Sequence, residues 1–187
     1  FYVFSGHKVY APTGTGILYG KRAILEELPP WRGGGEMIRK VDYAGTTYND
    51  LPYKYEAGTP NIEGGIALAA ALEFLQGLKL DEIQRHESAL IENAATALSS
   101  IKGVKLYGPP DRAGALSFNV DGVHHYDLGT LMDKMGVAVR TGHHCCQPLM
   151  ARFGITGTLR ASFACFNDDN DVQRLAAAVE KGTSMLR

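Results

Sequence analysis

The chain has 187 residues, is 45% hydrophobic and 21% charged, and carries a net charge of −1. That balance is ordinary for a soluble globular protein with one large or two small cores, and it leaves no electrostatic footprint for nucleic acid or an acidic membrane surface. No apolar run reaches the roughly 18–20 residues that a bilayer-spanning helix needs, and three clustered cysteines (Cys145, Cys146, Cys165) are too few for a disulfide framework and point to a reducing, cytoplasmic setting.

In chain order, Tyr2-Val3-Phe4 reads as the end of a strand, residues 5–16 as a Gly/Pro-rich loop, and Gly16 to Gly20 as a second strand. Residues 21–28 read as a short helix that Pro29-Pro30 stops. Trp31 to Gly35 is a turn, Gly45 to Asp50 a hairpin or loop excursion, and Tyr55 to Asn61 a loop before a small-residue helix over about 63–76. Leu80 to Ser100 is the strongest helix, with Ile83, Leu90, Ile91, Ala94, Leu98 and Ile101 at helical spacing and Asp81 in its first turn. Val104–Tyr107 and Ala115–Val120 are strands, Asp127–Met135 a helix, Val137–Val139 a strand that delivers Arg140, and Thr158–Phe163 a strand. Asp168–Leu186 closes the chain as a helix, with Asn167-Asp168 as its cap. Residues 1–78 therefore form part of one α/β unit and residues 96–187 an α+β unit, with 79–95 as a bridging helix. The chain opens at Phe1 on a strand end, so the expectation is a piece of a longer polypeptide.

Two runs carry the chemistry. In Phe4-Ser5-Gly6-His7-Lys8, followed by Thr13-Gly14-Thr15-Gly16, small residues with free amides and hydroxyls suit a phosphate. The Lys8 amine suits a carbonyl cofactor with a phosphate tail, which describes pyridoxal 5′-phosphate. The bland alternative for Lys8 is a solvated surface lysine. In Arg140-Thr141-Gly142-His143-His144-Cys145-Cys146-Gln147-Pro148, a thiol stands among cationic side chains on a polar run, which suits a reachable sulfur nucleophile rather than a buried one. Consecutive ligands close a metal tetrahedron poorly, so no metal site is assigned there. Arg160 is either an edge-strand charge facing water or a bidentate clamp for a substrate carboxylate, and Arg140 fits either part. Thr59, in Gly58-Thr59-Pro60-Asn61, is either a turn residue or an anion donor at a helix entrance. An amine and a thiol together suggest chemistry on a sulfur-bearing amino acid.

These runs, with Pro12–Tyr19, Pro29–Ile38, Tyr55–Asn61 and Arg140–Met150, resemble the class V aminotransferase family, and within it the type II cysteine desulfurases. The resemblance implies an α/β chain of the pyridoxal-phosphate-dependent transferase fold type I. Residues 1–78 would be the end of the large cofactor domain, and 96–187 a small α+β C-terminal domain carrying the cysteine loop. It implies Lys8 holding pyridoxal 5′-phosphate covalently, Ser5 and His7 on its phosphate, and Thr59 on the phosphate of the neighbouring subunit of a homodimer. Arg160, with Arg140, would hold the substrate carboxylate. Cys145 would take sulfur from L-cysteine as a persulfide, leaving L-alanine, and pass it to a SufE-like acceptor for iron–sulfur cluster assembly. Cys146 departs from the family, which usually has alanine there. The family's preceding half supplies a ring stacked on the cofactor and an acid for its pyridinium nitrogen. Neither is located in this chain, so the chain alone is expected to be inactive. Competing readings are a selenocysteine lyase or another class V enzyme, which would also use Lys8, and a non-catalytic dimerisation or partner-binding piece.

Overall fold

A computed structural model describes residues 1–187, which divide into two compact units, Phe1–Leu78 and Lys79–Arg187.

In the first unit, β1 (Tyr2–Ser5) and β2 (Gly16–Tyr19) form an antiparallel hairpin, with Tyr2 opposite Tyr19 and Ser5 opposite Gly16. A single 3-10 turn, Gly6–Lys8, opens the connection. A short helix, α1 (Arg22–Glu27), follows, then a second hairpin of β3 (Ile38–Asp42) and β4 (Gly45–Tyr48), and then α2 (Ile62–Leu78). The stretch expected as a loop excursion at 45–50 is the second arm of that hairpin. Its turn is held by Asp42, whose carboxylate accepts from the amides of Ala44 and Gly45 at 3.0 and 3.1 Å. The carbonyls left open at the end of α1 are satisfied from a distant loop. Lys54 Nζ donates to Leu25 O and Glu26 O at 3.1 and 2.8 Å, and Tyr55 Oη donates to Leu25 O and Leu28 O at 2.7 and 2.9 Å. The Gly33–Gly35 run lets residues 57–58 lie against it: Gly58 N donates to Gly35 O at 3.0 Å, and a Cβ on Gly34 would stand 3.2 Å from Gly58 N.

Lys79, at φ 63°, separates α2 from α3 (Leu80–Ser99), the first helix of the second unit. Four strands follow, β5 (Val104–Tyr107), β6 (Ala115–Val120), β7 (Arg140–Gly142) and β8 (Thr158–Ser162), in the antiparallel order β5-β6-β8-β7. Helices α4 (His125–Lys134), α5 (Gln147–Phe153) and α6 (Asp169–Leu186) lie between and after them. Alternation along the strands sorts the two faces of the sheet. Leu116, Phe118 and Val120 of β6, with Leu159 and Ala161 of β8, are buried against Leu90, Ile91, Ala94 and Leu98 of α3, Leu128 and Met132 of α4, and Val172, Leu175 and Val179 of α6. Ser117, Asn119, Thr158 and Arg160 face the other way.

Three boundaries differ from the sequence reading. The helix expected to bridge the units over 79–95 contributes Leu90, Ile91 and Ala94 to the second unit's core, because its apolar stripe needs the sheet and α6 to cover it. His86 Nε2 donates to Asn167 O at 2.8 Å, and Asn93 Nδ2 donates to Asp169 Oδ1 at 3.0 Å, fixing α3 to the start of α6. Val137–Val139 does not pair as a strand. Val137 N donates to Met132 O at 2.9 Å and closes the turn after α4, so the strand begins at Arg140. Residues 147–153, to which the sequence reading assigned no element, form α5, with a proline in its first turn and Gly154 in the left-handed conformation (φ 68°) after its end. The expected cap of α6 is a full capping box between Asp168 and Asp171.

Candidate active site

In the first unit the candidate residues cluster around the mouth of the β1–β2 hairpin. The 3-10 turn brings Ser5, Gly6, His7 and Lys8 together at the end of β1. Gly6 is buried: its amide donates to Thr15 O at 2.8 Å, and a Cβ there would stand 3.3 Å from that oxygen and from Ala11 Cβ. A side chain here would push the two arms apart by a few tenths of an ångström. His7 and Lys8 are exposed, and the Ser5 hydroxyl does not cap the turn. The half-buried Ser5 and the exposed His7 and Lys8 thus stand within four residues, a donor set that fits a phosphate and a carbonyl.

Residue 61 joins this cluster to the Thr59 run. Asn61 Oδ1 accepts from Gly64 N at 2.9 Å and caps α2, while Asn61 Nδ2 reaches Thr15 Oγ1 at 3.5 Å. A Cβ on Gly64 would collide with the Thr15 hydroxyl and the Asn61 amide. Thr59 is exposed just before that cap. The sequence reading missed Asn61, although an asparagine three residues before a glycine at a helix entrance is a legible cap signal.

In the second unit the polar face of the sheet carries one row across all four strands. Tyr107 of β5 stands opposite Ser117 of β6, Ser117 opposite Arg160 of β8, and Arg160 opposite Arg140 of β7. β8 is an inner strand, so Arg160 is not the edge-strand charge that composition alone favoured. It is partly buried, and its Nε is shielded from water without a partner. Two like charges directly across a strand pair are unfavourable unless an anion lies between or beside them. That arrangement favours the carboxylate-clamp reading of the pair.

After Arg140 the chain folds back over this face. Gly142, His144 and Cys145 have φ of 110°, 53° and 59°. Left-handed backbone is costly for the two non-glycine residues, about 1–2 kcal/mol each. Hydrogen bonds hold the loop: Cys145 N donates to His143 Nδ1 at 3.1 Å, Cys146 N donates to His143 O at 2.9 Å, and His144 Nε2 lies 2.8 Å from Thr158 Oγ1 and 3.2 Å from Thr158 O. The result is an exposed Cys145 whose Sγ accepts from Arg140 Nη2 at 3.4 Å. Thr158, at 1% exposure, was not singled out in the sequence, and only the fold pairs it with His144.

Burial, and next the Arg160 guanidinium, hold His144 below the ordinary histidine pKa; His125 is lowered by burial and then by His124. Both rings are therefore neutral at neutral pH. A group with a depressed folded-state pKa makes the unfolded chain the better proton acceptor. Stability is then full above the unfolded value, about 6.5 for histidine, and falls as pH drops through it towards the folded value. Glu87, raised by burial, has the opposite sign near its own lower range, so a variant isolates the histidine contribution. Urea unfolding should show stability falling from about pH 8 to about pH 5.5, and His144→Asn should reduce that fall. An unchanged slope in the variant would refute the assignment.

Gly157 supports the loop from behind. A Cβ there would stand 2.7 Å from the Gly142 carbonyl carbon, 2.8 Å from its oxygen and 2.7 Å from His125 Nε2. Gly157→Ala should cost about 1–3 kcal/mol in urea unfolding, as overpacking does. It should also alter the alkylation rate of Cys145, whose loop starts at Gly142.

The second unit thus presents a thiol against one guanidinium, Arg140, that is registered opposite a second, Arg160, and the first unit an amine in a phosphate-fitting turn. The aminotransferase class-V family model matches residues 1–175, and the chain belongs to that family. The chain is 51% identical over 186 residues to a probable cysteine desulfurase of Vibrio cholerae, covering all of this chain and 46% of that protein. It is 49% identical to a cysteine desulfurase of Yersinia pseudotuberculosis, with the same coverage of 100% and 46%. Among solved structures it superposes on the Escherichia coli cysteine desulfurase CsdA with a TM-score of 0.96 at 45% identity, covering 100% of this chain and 47% of that one. It superposes on the Thermococcus onnurineus cysteine desulfurase with a TM-score of 0.93 at 37% identity, covering 98% and 47%. The chain spans about half the length of these relatives. Their fold agrees with the expected mixed α/β architecture.

Proposed function

We propose that the chain carries the cofactor lysine and the sulfur-accepting loop of a pyridoxal-phosphate-dependent cysteine desulfurase, a transferase that converts L-cysteine to L-alanine. The observation that carries this reading is the Arg140–Cys145 contact at 3.4 Å on a loop anchored beside Arg160. Lys8 holds the cofactor through its ε-amine, and Ser5 and His7 hold its phosphate. Thr59 contributes to the phosphate of a neighbouring subunit in a homodimer. The bound cofactor supplies an electron sink for the substrate's α-carbon.

Arg160 binds the substrate carboxylate, with Arg140 sharing that anion and steadying the thiol. Lys8, when free, moves protons. Cys145 accepts the substrate sulfur and holds it as a persulfide. A loop-borne, exposed cysteine can reach substrate first and acceptor later. The sulfur then passes to a SufE-like protein for iron–sulfur cluster assembly, in the cytoplasm.

The test is direct. This chain, joined to the family's preceding half and loaded with pyridoxal 5′-phosphate, is given L-cysteine, and alanine and protein-bound persulfide are measured, with L-selenocysteine as a parallel substrate. Equimolar alanine and persulfide in a single turnover supports the reading. Alanine without any protein-bound sulfur refutes it.

A further inference from the structure

Cys146 follows Cys145 directly, and the two sulfurs have different surroundings. Cys145 Sγ lies against Arg140. Cys146 instead lines a cavity of about 200 Å³ on the polar face of the sheet. Arg160, Ser117 and His144 form its polar wall, and Tyr107, Leu149 and Phe153 its apolar wall. Two buried polar atoms of this wall lack partners, Arg160 Nε and His144 Nδ1. The cavity thus has room for a sulfur-bound group and offers it one face of hydrocarbon and another with a cation.

We propose that Cys146 is a second sulfur carrier, taking the persulfide sulfur from Cys145 and holding it in this cavity. The proposal rests on the desulfurase reading, since that reaction loads Cys145. The step is a thiol–persulfide exchange. The Cys146 thiolate attacks the terminal sulfur of the Cys145 persulfide. A new S–S bond forms to Cys146 Sγ, the bond from Cys145 Sγ breaks, and Cys145 leaves as the thiolate with the electron pair. The terminal sulfur keeps its proton and its oxidation state, and the proton lost by the Cys146 thiol is available to Cys145. One S–S bond replaces another, so no oxidant or reductant enters.

Geometry favours the transfer. Consecutive Cα atoms are about 3.8 Å apart, within reach of two flexible thiols. Both cysteines are exposed enough to react. The backbone is left-handed at His144 and Cys145, so the chain turns just before Cys146. Once alanine has left, Arg160 is free to face the terminal sulfur, Cys145 is regenerated beside Arg140, and the next substrate binds Arg160 after the stored sulfur has been passed on. The second carrier thus separates sulfur storage from sulfur abstraction.

The test is a single turnover with L-cysteine of this chain joined to the family's preceding half and loaded with pyridoxal 5′-phosphate, alkylated at successive times. Trypsin would then release the peptide 141–152, which holds both thiols. Fragmentation between the two cysteines locates the added sulfur. The expected result is sulfur on Cys145 first and on Cys146 afterwards, confinement to Cys145 in Cys146→Ala, and none on either position in Cys145→Ala. Sulfur that stays on Cys145 in the wild type, with alanine formed, overturns the relay and leaves the desulfurase reading intact. Sulfur on Cys146 in Cys145→Ala also overturns it, by making Cys146 the primary acceptor. An intrapeptide disulfide with release of hydrosulfide would mean that Cys146 attacks the inner sulfur and discharges the persulfide. Alanine without sulfur on either cysteine sinks the desulfurase reading itself.

Discussion

Cys145→Ala should reduce alanine formation from L-cysteine by at least ~10³-fold, the scale on which enzymes respond to loss of their nucleophile. The cofactor's visible absorbance should survive, because Lys8 lies in a different unit of the chain. Global stability should change by less than about 0.5 kcal/mol, since the thiol is exposed and alanine at φ 59° bears the same backbone cost as cysteine. Cys145→Gly separates the two effects. It should be equally inactive yet more stable by about 1 kcal/mol, because glycine has no Cβ to strain in the left-handed region. Kinetics and urea unfolding on the two variants measure both. Unchanged alanine yield in Cys145→Ala would leave the sulfur-transfer reading without its acceptor, and another class V activity would take its place.

Lys8→Ala should abolish both the absorbance of lysine-bound cofactor and turnover. Lys8→Arg should do no better, because a guanidinium keeps the charge but does not add to a carbonyl at neutral pH. Lys8 is exposed on a single 3-10 turn and is absent from the ion pairs that involve Arg22, Arg39, Lys40 and Arg85. The fold should therefore tolerate both changes to within about 0.5 kcal/mol, read from thermal unfolding. An intact lysine-cofactor spectrum in Lys8→Ala would assign the anchor to another amine.

Much of this architecture could be read before any coordinates. Helix α3 was legible because its apolar residues recur at helical spacing over twenty residues, and β6 because apolar and polar residues alternate along it. Helix α5 was not, because its seven residues follow a run whose histidines and cysteines drew the eye to chemistry, although Pro148 and Gly154 mark its two ends. Val137–Val139 looked like a strand because β-branched residues favour extended backbone. A turn hydrogen bond to Met132 fixes it instead, and propensity cannot see that bond. The candidate residues themselves stood out in the sequence, but their arrangement did not. That Arg160 occupies an inner strand, that Arg140 stands opposite it, and that Thr158 anchors His144 all depend on strand order and register, which are set by pairings between distant parts of the chain.

The Arg140–Arg160 register has a further consequence. β7 is only three residues long and lies at the sheet's edge, so it has the shortest pairing in the sheet, and two facing cations weaken it further. An anion binding there relieves the repulsion and stabilises the bound form by mass action. If the pair clamps a carboxylate as proposed, occupancy and the pairing of β7 would share one equilibrium, and the loop beyond Gly142 would be most firmly aimed with that anion in place.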